Sequence, residues 1–574
     1  MPTDVKIPWQ DHTDGVPLHL EYPGGSMVDL VEQAANSTPD IAAYDFFGVK
    51  ASYRRFFGQI QRCAAALRAA GIGPGDRVTI CMPNTPQAVE MFYAINYVGA
   101  IANMVHPLSG QEEIAFYLNE SDSVAALTLD QFYPKFDAIR DQIHIKKLLI
   151  TSISDALAGP IKLGYWATQG RKIPKVPESD PLVLLWKDFL KAGDRFTGEV
   201  RHPLTAEDTA AILYSGGTTG TTKGILLSNL NFNALGLQTG AAGDCIIPGH
   251  KMLSIMPIFH GFGLGVCIHT MLIHSCTCIL VPQFTVESYA DLLKKHKPNY
   301  IAGVPTLYEA LLRLKKADDL DMSQLEGIFS GGDSLSIELK HKVDEFLQKH
   351  GSREQIREGY GTTECVTASC LTPKHFYKEG SIGIPFPDTY YKIVIPSTHD
   401  EMPYGQLGEI CISGPSVMQG YMNNPKETAQ TLQLHEDGLV WLHTGDLGSM
   451  DEEGFVYFKQ RLKRMIITSG YNVYPSQVEN VIDAHEAVLM STVIGVKDDY
   501  RMQRVKAFVV LRPGYTASEE LKASILAHLQ KNVAKYAIPR EIEFRDALPK
   551  TLVGKVAYTV LEKEEAEKQK AAAK

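Results

Sequence analysis

The sequence predicts an α/β protein: a large N-terminal domain with parallel-rich sheets covered by helices, then a small α+β module. Three observations predict it. Apolar runs of strand type alternate with helical periodicity over the first two-thirds of the chain. The texture changes after about residue 460, where short strands follow one another. And 574 residues are too many for one core, since domains usually span ~100–200 residues. The expected division is 1–460 and 461–574.

The alternation is clearest at "RVTICM" (77–82), "PQAVEMFYAINYVG" (86–99) and "AIANMV" (100–105), read as strand, helix and strand. Such a unit implies parallel strands joined by a right-handed crossover. The order recurs from "KMLSIMP" (251–257) to "CTCILVP" (276–282), and from "NYIAGV" (299–304) to "LEGIFS" (325–330). The following helix, 336–350, carries Leu339, Val343, Phe346 and Leu347 on one face, which is expected to pack on a sheet. Residues 152–203 break the pattern with Gly, Pro and basic residues and read as a surface excursion.

Past residue 460, "FVYFKQRLKRMIITSGYNVYPSQVENVIDAH" reads as strand, turn, strand, helix. Two strands and a helix over 516–532 follow, the helix opened by a Thr516–Glu519 capping-box pattern. The tail "LEKEEAEKQKAAAK" is charged and expected to fray.

Composition narrows the partners. A formal charge of -10 disfavours nucleic acid, whose phosphates demand clustered Lys and Arg. The nine cysteines are odd in number and form no CxxC pair, so free thiols in a reducing, cytoplasmic compartment are expected. The first residues show no apolar signal core. The most membrane-like stretch, 264–281, holds His269 and His274 and reads as a buried helix followed by a buried strand.

The chemistry starts at "AAILYSGGTTGTTKGILLSN" (210–229). A strand ending in Gly, Ser and Thr exposes N–H groups and hydroxyls that can surround phosphate oxygens, and Lys223 adds a cation. It is not a Walker A loop: Gly220 is followed by two threonines, and "GILLS" reads as a strand rather than a helix. Four further segments support a nucleotide. "SGGDS" (330–334) ends a strand in two glycines, Gly331 and Gly332. "REGYGTTE" (357–364) offers the Tyr360 ring for a base, Thr362 and Thr363 for phosphate, and Glu364 for Mg²⁺. "WLHTGDLG" (441–448) sets Asp446 in a turn where it can accept ribose hydroxyls, and "KTLVGKV" (550–556) puts Lys555 after a glycine.

Together these segments resemble the acyl-adenylate-forming superfamily, most nearly the bacterial medium- and long-chain fatty acyl-CoA synthetases. The resemblance covers about residues 25–560. It is carried by "YSGGTTGTTKG" (214–224), "PIFHGFG" (257–263), "GYGTTE" (359–364), "LGEICISGPSVMQGYMNNPKET" (407–428), "HTGDLG" (443–448), "RLKRMIITSGYNVYPSQVE" (461–479) and "PKTLVGKV" (549–556). It implies a small β-rich subdomain closing the large domain, and a mobile C-terminal domain.

It also implies chemistry. ATP and a carboxylic acid would give an acyl-adenylate and pyrophosphate, and a thiol would then displace AMP. Ser215, Thr218, Thr219 and Lys223 would hold the β- and γ-phosphates. Tyr360 would stack on adenine near Gly332, Thr363 would contact the α-phosphate, and Glu364 would bind Mg²⁺. Asp446 and Arg461 would hold the ribose, and Lys555 would sit by the carboxylate during adenylation. Lys463 would be the hinge about which the small domain turns between half-reactions. His260 would border the acid site, with Gly261, Gly263, Gly265, Ala302 and Gly303 leaving space for a narrow apolar tunnel.

Two positions depart from the family pattern: Thr222, where proline is usual, and Tyr558, where arginine is frequent. A fatty acid is the favoured substrate, with an aryl acid of the coumarate type next. With no carrier segment after the C-terminal module, free CoA is the expected thiol acceptor; a separate carrier protein is the alternative. Peripheral membrane contact and oligomeric state stay open. A kinase-like phosphotransferase would need a Walker or H-R-D context, which is missing. A non-catalytic nucleotide binder would more naturally have lost Lys555 or Glu364.

Overall fold

The computed structural model describes residues 5–572 except 178, 216–221, 315, 316, 318, 469, 470, 499, 500, 552 and 553. Among the described residues the strands form four sheets. The first has eight strands, ordered Gly420–Tyr421, Gly224–Ser228, Thr209–Tyr214, Ile101–Met104, Arg77–Cys81, Ser123–Leu129, Lys147–Thr151 and Val183–Leu185. From Thr209–Tyr214 onward its neighbours are parallel. The second, nine-stranded, has a parallel centre: Arg357–Tyr360, Gly327–Ser330, Tyr300–Gly303, Lys251–Ser254, Thr277–Leu280 and Ala42–Phe46. The expected α/β class and its parallel pairing are therefore present.

Local chemistry explains the element starts. The Pro86–Tyr97 helix begins with proline at its first position, and Thr85 Oγ1 accepts from Ala88 N at 3.3 Å. Every residue of that helix is buried, in one core that takes in Ile80 of the first sheet and Met252 and Tyr300 of the second. The Ile337–Lys349 helix buries Val343 and Leu347 and half-buries Leu339 and Phe346, the face its periodicity announced.

The third sheet is antiparallel: Tyr390–Val394, Gly408–Ser413, Val440–Met450 and Leu432–Leu434, with Val456–Arg461 on the far side of the long strand. It is the expected β-rich unit. The fourth joins Tyr471–Val473, Ile466–Thr468, Met502–Leu511 and Val488–Asp498, with Glu541–Phe544 parallel to Met502–Leu511. Its core, centred on Val493, Val505 and Ile525, is separate from the others.

Three expectations are corrected. The excursion at 152–203 is only partly peripheral. Its Val183–Leu185 strand extends the first sheet, and the Trp186–Asp194 helix buries Trp186 and Phe189. Gly193 lets that helix approach closely, since a Cβ there would lie 2.7 Å from Ala66 N. The Glu519–Asn532 helix is capped by Ser518, whose Oγ accepts from Leu521 N at 3.1 Å; Thr516 lies outside the helix. The charged tail is not frayed: Tyr558–Ala572 is a helix that buries Leu561 against Val496 and Phe508. Its Leu561–Glu565 spacing places one apolar and one ion-paired residue on the same face. The stretch 264–281 is the buried helix and buried strand expected, the helix a π-helix over Phe262–Thr270 and the strand Thr277–Leu280.

Candidate active site

Three parallel strands, Tyr300–Gly303, Gly327–Ser330 and Arg357–Tyr360, end on one side of the second sheet. Crevices at the carboxyl ends of parallel strands are where open α/β sheets bind ligands. Gly332 (φ +81°) turns the chain after the middle strand. A Cβ on Gly332 would lie 3.4 Å from Lys555 Cε, so Lys555 of the C-terminal part reaches this crevice. Thr306 Oγ1 anchors it by donating to Gly554 O at 2.7 Å. The Lys555 turn is itself tied by Thr551 N donating to Lys555 O at 2.7 Å. Burial pushes the Lys555 ammonium below its ordinary value; Asp333 opposes this and Arg461 adds to it.

Tyr360, the last residue of its strand, donates to Asp446 Oδ2 at 2.6 Å. Asp446 faces Arg461 in the antiparallel register, with Nε 3.2 Å from Oδ1. Burial raises the Asp446 carboxyl, and Arg461 and the Tyr360 hydroxyl pull it back. The Phe458 ring lies 5.7 Å from Tyr360. Tyr360, Asp446 and Arg461 are thus one connected cluster, and Lys555 and Glu364 act on it electrostatically.

Glu364 sits in the Thr363–Cys365 turn and accepts from Tyr421 at 2.9 Å. Lys223 Nζ lies 4.8 Å above the Tyr421 ring and pairs with Glu427. Ser215 N donates to Lys223 O at 3.3 Å. Thr218 and Thr219 lie outside the described residues, as does the Lys463 side chain; its backbone forms the Leu462–Arg464 turn. The Thr222 hydroxyl faces the Tyr117 phenol.

His260 is half-buried, and its Nδ1 accepts from Phe262 N at 3.2 Å. Burial, with Lys555 nearby, drives its pKa down to about 3. The imidazole is neutral at neutral pH, with its proton on Nε2. The space expected from the adjoining glycines is filled. A Cβ on Gly261 would meet Val366 O at 2.1 Å, on Gly263 Pro257 O at 2.1 Å, and on Gly265 Leu235 Cδ2 at 2.5 Å. Gly303 is likewise closed by Leu307, whose Cδ2 would lie 2.2 Å from a Cβ, and Ala302 is fully buried. Gly261, Gly263 and Gly265 serve close packing at the π-helix, and Gly303 packs against Leu307.

Sequence reasoning missed several partners. Asn84, after the Arg77–Cys81 strand, donates to Ser254 O (2.9 Å) and Met256 O (2.8 Å) and accepts from Ile258 N (2.8 Å). It holds the segment that leads to His260. Tyr421 and Glu427 lay inside a quoted motif without a role. Arg464 binds Glu479 and Thr492 and covers the Tyr558 ring at 4.7 Å. That stacking anchors Tyr558 where the family pattern has arginine.

The chain is 34% identical over 566 residues to a long-chain-fatty-acid–CoA ligase of Bacillus subtilis (strain 168), covering 98% of each. A long-chain-fatty-acid–CoA ligase of Escherichia coli O6:H1 is 32% identical over 539 residues, 92% of this chain and 93% of that one. Among solved structures, ATP-bound MatB from Rhodopseudomonas palustris superposes with a TM-score of 0.78 at 26% identity, over 94% of this chain and 99% of its own. Residues 31–422 match the AMP-binding enzyme model and 477–555 its C-terminal domain. The chain therefore belongs to the AMP-binding enzyme family.

Proposed function

We propose that the protein is an AMP-forming acid–thiol ligase that joins a fatty acid to CoA through an acyl-adenylate. The observation that carries this reading is Lys555, a half-buried cation held against Gly332 at the carboxyl ends of the parallel strands. That is where a carboxylate and an α-phosphate must meet. Two relatives alike over nine-tenths of the chain are long-chain-fatty-acid–CoA ligases, which favours a fatty acid over an aryl acid.

In the first step a carboxylate oxygen attacks the α-phosphorus, the bond to the β-phosphate breaks, and pyrophosphate leaves. Both reactants are anionic, so Lys555 and Lys223 offset repulsion and growing charge. Ser215, Thr218 and Thr219 with Lys223 hold the β- and γ-phosphates, and Thr363 contacts the α-phosphate. Tyr360 lies along adenine, and the Asp446–Arg461 pair receives the ribose. His260, neutral, presents its Nε2–H to the acid. Glu364 fits a Mg²⁺ site, a single carboxylate beside a phosphate loop, which is how Mg²⁺ is commonly held when substrate phosphates supply other ligands. Bound there, Mg²⁺ supplies charge neutralisation of the phosphates.

In the second step the CoA thiol gives its proton to solvent, the resulting thiolate attacks the acyl carbon, the bond from that carbon to the phosphate oxygen breaks, and AMP leaves. Lys555 must leave the crevice for this. Residues 461–574 turn as a unit about Lys463, which breaks the Thr306–Gly554 bond and the Arg512–Glu338 pair at 3.7 Å. The free thiols agree with work in the reducing cytoplasm. Peripheral membrane contact is supported by the Gly159–Thr168 helix, which exposes Ile161, Leu163 and Trp166 beside Lys162, Arg171 and Lys172. No helix among the described residues is long and apolar enough to cross a membrane.

The test is release of AMP and pyrophosphate over a panel of fatty and aryl acids, with and without CoA. Turnover with fatty acids and thioester only when CoA is present is expected. ADP as product, or no thioester with any acid, rejects the reading.

A further inference from the structure

Three histidines far apart in sequence meet on the antiparallel third sheet. His399 lies in the loop between Tyr390–Val394 and Gly408–Ser413. His435 opens the hairpin after Leu432–Leu434, where Gly438 N donates to its carbonyl at 3.0 Å. His443 lies in the Val440–Met450 strand. One ring nitrogen from each lies within 4.8 Å of the others. His435 and His443 are buried, and His399 is exposed.

The detail is that of a ligand set. His435 Nε2 and His443 Nε2 face each other at 3.0 Å. Two imidazole nitrogens bound to one tetrahedral Zn²⁺ stand about 3.3 Å apart. His443 Nδ1 donates to Glu409 Oε2 at 3.2 Å, with Cys411 Sγ at 3.6 Å, which leaves Nε2 as its lone-pair nitrogen. A carboxylate on the far nitrogen is the usual way a metal-bound histidine is oriented. His399 stacks on His435 with ring centroids 3.9 Å apart. It donates from Nε2 to Gln433 Oε1 at 2.8 Å, which frees Nδ1, and its exposed side chain can turn toward the pair. His435 Nδ1 is buried with no partner. His435 Nε2 is satisfied by its hydrogen bond with His443 Nε2, but a buried imidazole nitrogen left without a partner carries a desolvation cost. The nearby Lys392 is matched by Asp437 at 2.6 Å, so its charge is already offset.

We propose that His399, His435 and His443 form a Zn²⁺ site, with Glu409 as the carboxylate that orients His443. Neutral imidazoles suit Zn²⁺ and its near neighbours rather than Mg²⁺. The site is distinct from Glu364 and joins a loop, a hairpin turn and a strand of one sheet. Glu409 Oε1 also accepts from Gly445 N at 2.9 Å, which places the ion one carboxylate away from the turn that carries Asp446.

The test uses the untagged full chain, stripped of metal and free of nucleotide. Zn²⁺ is added alone, and bound metal is counted after dialysis. Co²⁺ serves as a spectroscopic probe, and thermal unfolding is followed with and without Zn²⁺. One equivalent of Zn²⁺, imidazole-type Co²⁺ absorption and a raised Tm are expected. His399→Ala, at an exposed position, and His435→Gln should each remove the equivalent while the metal-free Tm of His399→Ala stays unchanged. Glu409→Gln should weaken binding ~10–100-fold. Glu364→Gln should bind as the native chain does. No stoichiometric Zn²⁺, full native binding retained by both histidine variants, or loss only in Glu364→Gln overturns the proposal.

Discussion

Tyr360 donates its phenolic proton to Asp446 at 2.6 Å, joining the end of a parallel strand to the antiparallel sheet 86 residues later. The bond fixes the carboxylate that also faces Arg461. Tyr360→Phe keeps the ring and removes the donor. A hydrogen bond to a charged group contributes roughly 1.5–3 kcal/mol, so the KM for ATP should rise by about tenfold or more. Initial-rate kinetics against ATP checks this, and an unchanged KM would separate Asp446 from nucleotide binding.

Lys555→Ala should split the two half-reactions. Loss of a cation at the developing charge costs on the order of 10²–10³-fold in rate, so adenylation from acid and ATP should collapse. CoA capture of a pre-made acyl-adenylate should be largely retained. Equal loss in both steps would contradict the alternating role of residues 461–574.

Lys506 is buried and meets Glu541, Glu543 and Glu565 at 2.6, 2.8 and 3.0 Å. Breaking a buried pair by removing one partner costs about 3–5 kcal/mol, so Lys506→Met should lower Tm markedly. Burial raises the Glu543 carboxyl, but its bonds to Lys506, Arg545 and Lys568 outweigh that and hold it at about 2. Its contribution is full above the ordinary glutamate value near 4.5 and is lost as pH falls toward 2. Denaturant titrations across that window should show a fall in stability that is shallower in Lys506→Met.

Gly263→Ala would press a methyl onto Pro257 O at 2.1 Å and Met256 O at 2.4 Å. Both are backbone atoms, so relief requires a main-chain shift, and a loss of about 1–3 kcal/mol is expected. Gly58→Ala, in the open middle of the Tyr53–Ala69 helix, should instead gain ~0.5–1 kcal/mol. Paired chemical denaturation measures the difference.

Leu163 and Trp166 are exposed by 67% and 51%. Leu163→Ser with Trp166→Ser should reduce sedimentation with anionic vesicles while solution activity on a soluble acid stays unchanged. Equal sedimentation would leave that helix without a membrane role.

The parallel strands, the Pro86–Tyr97 and Ile337–Lys349 helices and the nucleotide segments were legible because each is a local pattern. The pairing of Tyr360 with Asp446 was only half legible: both residues stood out, but their contact depends on how two sheets meet. The tail was misread because Leu561 is a single large apolar residue among charges, and its partners Val496 and Phe508 lie on strands far earlier in the chain. Thr516 matched the capping pattern, yet Ser518 holds the extended backbone that reaches Leu521 N. The glycines around His260 looked like vacancy because sequence shows a missing side chain and not the neighbour that fills its place. His399, His435 and His443 share no spacing rule at all.

Asn84 gives the segment leading to His260 an owner on each sheet. It rises from a strand of the first sheet and binds the segment that leaves the second. The segment is therefore held by a residue that is not adjacent to it in sequence. A chimera that imports 254–265 from a relative with another acid preference must import the partner of position 84 as well, or the graft loses its clasp.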